Sequence, residues 1–419
     1  MAVPRVAVYA GSGASHSWTW FADVFDRERY DAVTFITEHD IAGGTLCNHD
    51  VLMLSGGDTF AIAAALGHAG AAALEQFVRN GGTYIGACAG AYLPLTSSLA
   101  PLHLFNFVRA KISNLARCAP HVRQQPEKSC TAYGCRYVLH PVRGALRLQL
   151  HAQDGATRDR CIMAPLYGGP AILPSEDVAV LATYAGFTEE TEFLMDTTVA
   201  QSLFLGTAAA VRKRLGSGYL YLFGPHCEHP SYPEANRLLL DIIRHARSSG
   251  RYSMTLQDAA SSSDPVHAQH AYRAFLSALS SGRIMASGLE RAAYRWRIGT
   301  KLYDPERILV LFDALFSRAQ FLHKTGCSRC ISAEDSSRWQ ASATTIIAHL
   351  HTIRERGDGD ATQAAAQALI DELRVLAAEV LNAYFLSMHK GMVPKNGRRS
   401  CTTTISTFRR PRRSTPCRL

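Results

Sequence analysis

The stretch "YIGACAGAY", residues 84–92, joins an apolar run to a set of small residues around a single cysteine. Thr83–Ala87 reads as a strand, and Cys88, Ala89, Gly90 and Ala91 follow it in the form of a nucleophile elbow. In such an elbow a side chain is presented on a tight turn from strand to helix. Small neighbours suit it, because the turn is crowded and a substrate must approach closely. A thiol there also sits at a helix amino terminus, where the dipole and free N–H groups favour the thiolate. The same residues equally describe a small buried cysteine at a packing point.

Outward from this stretch, short apolar runs alternate with helical patterns up to about residue 250. This is the signature of a mostly parallel sheet covered by helices on both faces. Strands are expected at 5–9, 32–36, 51–54, 83–87, 161–166, 178–184 and 219–223. Helices are expected at 18–29, 59–80 (broken near Gly67–Gly70) and 233–247. "TAAAVRKRLGSGYLYLFG" reads as an antiparallel hairpin turning at Gly216–Gly218. Residues 97–160 show little periodicity and read as an irregular insertion with strands near Tyr137 and Leu148. Residues 251–270 form a polar, Ser-rich linker. A small all-α domain then spans 271–390, with one helix N-capped by Asp304, carrying Pro305 at its first position and ending at Gly326. Two further helices are expected around 337–356 and 360–389.

Two more strand ends carry polar or glycine-rich motifs. "YLFGPHCEHP" places His226 and Glu228 two residues apart, so that a carboxylate can orient an imidazole which in turn activates a thiol. "VLMLSGGDT" can turn the Gly57 N–H toward a developing oxyanion, with the Ala89 N–H as second donor. Ligands of such sheets bind at the carboxyl ends of strands, where all three motifs fall.

Taken together, "YAGSGAS" (9–15), "SGGD" (55–58), "GACAGAY" (86–92), "YGGPAI" (167–172) and "FGPHCE" (223–228) resemble the class I glutamine amidotransferase-like superfamily. Within it they are most similar to the biotin-protein ligase amino-terminal domain family, as a domain without the ligase part. The resemblance spans residues 3–245 and implies a flavodoxin-like α/β fold. It implies Cys88 as nucleophile, His226 as base, Glu228 as orienter, and Gly57 and Ala89 as the oxyanion hole. Ser12, Gly13, Gly56, Asp58, Tyr92, Tyr167, Gly168 and Gly169 would line the substrate pocket. Two departures bear on activity. Tyr92 stands where glutamine amidotransferases carry a substrate-holding Gln, which argues against glutamine as substrate, and Cys227 replaces the usual Pro between His and Glu. The expected reaction is hydrolysis or transfer of an amide or acyl group through a thioester. The alternative is an inactive module of the same fold that binds a small ligand or a partner. Biotin ligation is not expected, since no ligase ATP-binding signature is present.

Composition limits the remaining classes. The apolar fraction of 47% and charged fraction of 19% suit a globular protein with a normal core. The net charge of +9 resides in residues 390–419, which hold nine Lys and Arg and no acid. This tail reads as disordered, with at most weak non-specific polyanion contact. Eleven scattered cysteines and the absence of a signal peptide point to a reducing cytoplasm. No membrane span is expected. No metal is expected at Cys327 and Cys330, which lack two further ligands nearby. No P-loop or dinucleotide motif is complete, so no cofactor is expected. A protein partner would meet the helical domain.

Overall fold

The computed structural model describes residues 3–115, 139–152, 160–246, 265–289, 296–298, 301–303, 306–356, 359–389 and 391. Tyr137, Asp304, Pro305 and the basic tail lie outside them. The described strands are β1 Val6–Tyr9, β2 Val33–Ile36, β3 Val51–Leu54, β4 Thr83–Ala87, β5 Ala110–Ile112, β6 Val142–Leu150 and β7 Arg160–Leu166. Then follow β8 Ile172–Pro174, β9 Ala179–Phe187, β10 Glu192–Phe193, β11 Ala208–Leu215 and β12 Gly218–Phe223. The helices among them are α1 Trp18–Arg27, α2 Glu38–Ala42, α3 Thr59–Arg79, α4 Ala89–Tyr92, α5 Thr197–Phe204 and α6 Pro233–His245.

Strands β12, β4, β3, β1 and β2 lie side by side in that order and run parallel. Every residue of β1 and β3 is buried, which is why these strands read as unbroken apolar runs: helices cover both faces. Their registers bring the carboxyl ends of β1, β3, β4 and β12 to one edge of the sheet. Beyond β12 the sheet becomes antiparallel through β11, β9 and β6, with β7 and β10 pairing β6. The β11–β12 turn uses Gly216 at φ 61°, a left-handed conformation that suits glycine.

One expectation holds and one needs correcting. The strand expected near Leu148 within the insertion is β6, a nine-residue strand of this sheet. Its mixed buried and half-buried pattern is that of an antiparallel strand with one partly wet face, a weaker signal than a buried run. The stretch read as linker contains the start of α7, Pro265–Leu289, whose proline occupies the first helical position. Helix α3 breaks at Gly67 as expected, with φ 55° and ψ −158°. By length and composition α3 alone among the described helices is apolar enough to cross a membrane, an exception to the sequence reading. Here Ile62, Ala63, Leu66, Leu74 and Val78 of that helix are buried in the common core.

The carboxy-terminal helices continue with α8 Glu306–Lys324, α9 Ala333–Arg356 and α10 Asp360–His389, beside a hairpin of β13 Trp296–Ile298 and β14 Lys301–Tyr303. They share one buried core with the α/β part. Helix α10 lies along the edge strand β2. There the Asn382 carboxamide accepts from Phe35 N at 2.7 Å and donates to Phe35 O at 2.9 Å, replacing a neighbouring strand. Arg318 of α8 is 1% exposed and pairs with Asp23 at 2.7 Å and Asp26 at 3.4 Å of α1, while the Tyr384 hydroxyl donates to Asp26 at 2.6 Å. Arg374 of α10 donates to the Ala10 carbonyl at 2.8 Å, at the end of β1.

Candidate functional site

Cys88 stands between β4 and α4 at φ 51° and ψ −110°, one of two described non-glycine residues with positive φ. Such a conformation costs about 1–3 kcal/mol and persists only where the surroundings impose it. They do so here. The Cys88 N–H donates to Phe223 O at 2.9 Å, and the Cys88 carbonyl accepts from Ala91 N and Tyr92 N. A Cβ on Gly86 would stand 2.2 Å from Gly90 O, and one on Gly90 would stand 2.1 Å from Leu54 O. The glycines of the opening stretch therefore let the elbow fold back onto β3 and β4. Helix α4 has only four residues, so the expected dipole support for a thiolate is small.

The stronger influence is an imidazole. The Cys88 thiol is hydrogen-bonded to His226, whose Nδ1 lies 2.7 Å from Glu228 Oε1. Burial, the largest single influence on His226, pushes its pKa down. Glu228 and Cys88 together outweigh it and bring the pKa up to about 10. At neutral pH His226 is thus an imidazolium held between the Cys88 thiol and the Glu228 carboxyl group. All three groups are nearly sealed, at 4%, 3% and 0% exposure for Cys88, His226 and Glu228.

Glycines bring these strand ends together. A Cβ on Gly56 would meet His226 Cε1 at 2.8 Å, so only glycine there admits the ring. Gly169 of the Tyr-Gly-Gly motif abuts the loop that leads to His226: its Cβ would fall 1.7 Å from Gly224 O. Gly224 in turn lies against Pro170 O and the Tyr184 hydroxyl, which donates to Pro170 O at 2.9 Å. Tyr92 donates to Gly168 O at 3.2 Å and accepts from Asn114 Nδ2 at 2.8 Å, bridging α4 to that same loop. The aromatic ring at the expected glutamine position is therefore anchored by its hydroxyl.

The remaining expected residues take different places. Ala89 opens α4, so its N–H lies outside the helical ladder and beside the thiol. Gly57 pairs with Ala14 in an antiparallel bridge, and Gly13 O accepts from Asp58 N at 2.9 Å. Asp58 caps α3 through Oδ1, accepting from Phe60 N and Ala61 N. Ser12 and Gly13 lie on the β1–α1 loop, with Ser12 N donating to Glu38 at 2.9 Å. Cys227 is fully buried and its thiol is pushed up, first by burial and then by Glu228, so it is a neutral neighbour. Cys327 and Cys330 share one 3-10 turn, the first buried and the second exposed. Among the described residues no three His, Cys, Asp or Glu side chains gather as metal ligands.

Other side chains pack around this cluster, and of these Trp20 and His229 lie outside the motifs that carry the family resemblance. Trp20 meets His226 edge-on at 5.4 Å and His229 at 4.5 Å, while Tyr167 packs on His226 at 5.6 Å. Together they shield the imidazole from water. His229 is pushed down to about 4, by burial first and by the charge of His226 second, and is neutral. Ser55 donates to Glu228 Oε1 at 2.5 Å and neighbours Ser17 at 2.8 Å.

Residues 5–98 match the family described as biotin-protein ligase, N terminal, a match that includes Cys88 and the Gly56–Gly57 pair and ends before His226. No curated protein matches the chain. Among solved structures, a glutamine amidotransferase is 14% identical, with TM-score 0.36 over 57% of this chain and 98% of its own. A β-galactosidase from Bacillus circulans sp. alkalophilus is 15% identical, with TM-score 0.33 over 57% of this chain and 31% of its own. A cytoplasmic protein from Salmonella typhimurium LT2 is 10% identical, with TM-score 0.34 over 58% and 99%.

Proposed function

We propose, for a chain whose residues 5–98 carry the biotin-protein ligase N-terminal family pattern, a cysteine-dependent site that cleaves or transfers an amide or acyl group. One observation carries this reading: a strained Cys88 is hydrogen-bonded to an imidazole whose other nitrogen is held by the buried Glu228. In the proposed reaction the Cys88 thiolate adds to the substrate carbonyl carbon. The Ala89 N–H, with Gly57 as second donor, faces the resulting oxyanion. Collapse breaks the bond to the leaving amine, which takes its proton from His226, and leaves a thioester. Water or an acceptor amine, deprotonated by His226, then releases the acyl group and restores the thiol. Tyr92 anchored between Asn114 and Gly168 supports a substrate other than glutamine.

A second reading is favoured by that same anchor together with the 4% exposure of Cys88: a binding module of the same fold, closed to acyl transfer. A thiol-reactive acyl probe, mapped by peptide mass spectrometry, separates the two. Mapping is needed because Cys47, Cys161 and Cys330 are exposed and will also react. Enzymatic acylation predicts fast, saturable labelling at Cys88 that Cys88→Ala and His226→Ala abolish without lowering the unfolding temperature of Cys88→Ala. Labelling at Cys88 no faster than at Cys47 would favour the binding module.

A further inference from the structure

Glu228 is held by more than His226. Its Oε1 accepts from the Ser55 hydroxyl at 2.5 Å as well as facing His226 Nδ1 at 2.7 Å, while Oε2 is buried without a hydrogen-bond partner. Ser55 Oγ lies 2.8 Å from Ser17 Oγ, and Ser17 Oγ lies 3.0 Å from Ser15 Oγ. Ser17 Oγ also accepts from the Gly56 N–H at 3.1 Å. Ser55 and Ser17 are buried and Ser15 is half-buried.

The Ser55 proton can be assigned. Each hydroxyl has one to donate, and an ionised carboxylate only accepts. Ser55 is placed to donate to either Glu228 Oε1 or Ser17 Oγ, and its single proton goes to the shorter contact and the charged acceptor, Glu228. Ser17 and Ser15 stand behind Ser55 at 2.8 and 3.0 Å along the chain and fix the place of the hydroxyl that meets the carboxylate. Ser17 adds an independent sign of commitment. It occupies the N-cap of α1, where a serine hydroxyl ordinarily accepts from the first-turn N–H groups, yet it makes no capping hydrogen bond. Its hydroxyl is directed to the Ser55–Gly56 strand end instead. The other titratable groups against Glu228 are Cys227 and His229, and neither makes a hydrogen bond to its Oε2.

We infer that Ser15, Ser17 and Ser55 form a hydroxyl chain that orients Glu228, making Ser55 and Ser17 positioning residues for the Cys88–His226 pair. The inference rests on the acyl-transfer site proposed above and extends it into α1 and β3.

A double-mutant cycle on the full chain tests it, reading the rate of iodoacetamide alkylation at Cys88 by mass spectrometry at neutral pH. Ser55→Ala is expected to slow alkylation about tenfold, the loss of one hydrogen bond to a charged group. Ser17→Ala is expected to slow it less. In a Glu228→Gln background neither substitution should slow it further, because the chain acts only through that carboxylate. Ser113→Ala removes a buried hydroxyl that donates to Leu203 O at 2.6 Å, and should leave alkylation unchanged. Ser17→Ala decides the matter if Ser55→Ala does not fold. Equal slowing in both backgrounds, or none in the wild-type background, overturns the inference while leaving the triad standing. Wild-type Cys88 reacting no faster than Cys330 removes the triad and the chain with it.

Discussion

At the scale of single residues, the site sets two histidines in opposite electrostatic conditions a few residues apart. His226 rises from 6.5 to about 10, so its contribution to stability is complete below pH 6.5 and is lost as pH climbs through 10. His229 falls from 6.5 to about 4, so its contribution is complete above pH 6.5 and is lost as pH falls through 4. Urea midpoints between about pH 5 and pH 9 should therefore peak near neutrality and decline on both sides. His226→Gln is expected to flatten the alkaline decline and His229→Gln the acid one; unchanged profiles would mean that neither shift exists. Cys88, His226 and Glu228 are legible in the sequence because each follows a strand end within a short motif. Ser17 and Ser55 are not legible as a pair: they meet across 38 residues, and a serine next to a helix start reads as a cap.

At the scale of elements, what joins the strand ends is close backbone contact through glycine. The Tyr167–Gly169 loop and the Gly224–Glu228 loop touch where Gly169 meets the Gly224 carbonyl, leaving no room for a methyl group. Gly169→Ala should cost about 1–3 kcal/mol by overpacking. Because the displaced loop carries His226, the same substitution should slow Cys88 alkylation, and a stability loss without slower alkylation would contradict this coupling. The parallel strands are easily read because burial on both faces writes them as apolar runs. Strand β6 is harder, since its half-buried Arg143 and exposed Arg147 interrupt the pattern. Helix α7 is rich in Ala and Ser and offers little amphipathic contrast beside the Ser-rich stretch before it.

At the scale of the whole molecule, the carboxy-terminal helices complete the α/β part. Arg318 is buried against Asp23 and Asp26, and Arg318→Met would leave those carboxylates without their cation, a loss of about 3–5 kcal/mol measurable by chemical denaturation. A change within about 0.5 kcal/mol would place this pair among ordinary surface ion pairs. No local pattern foretells such partners, because Arg318 and Asp26 are 292 positions apart. The amide that closes the β2 edge comes later still: Asn382 follows Phe35 by 347 residues. At synthesis rates of roughly 5–20 residues per second, that edge waits about 17–70 s on the ribosome before its cover exists. For that interval a nascent chain carries an open strand able to pair with its neighbours, and a chaperone that shields β2 has its period of use there.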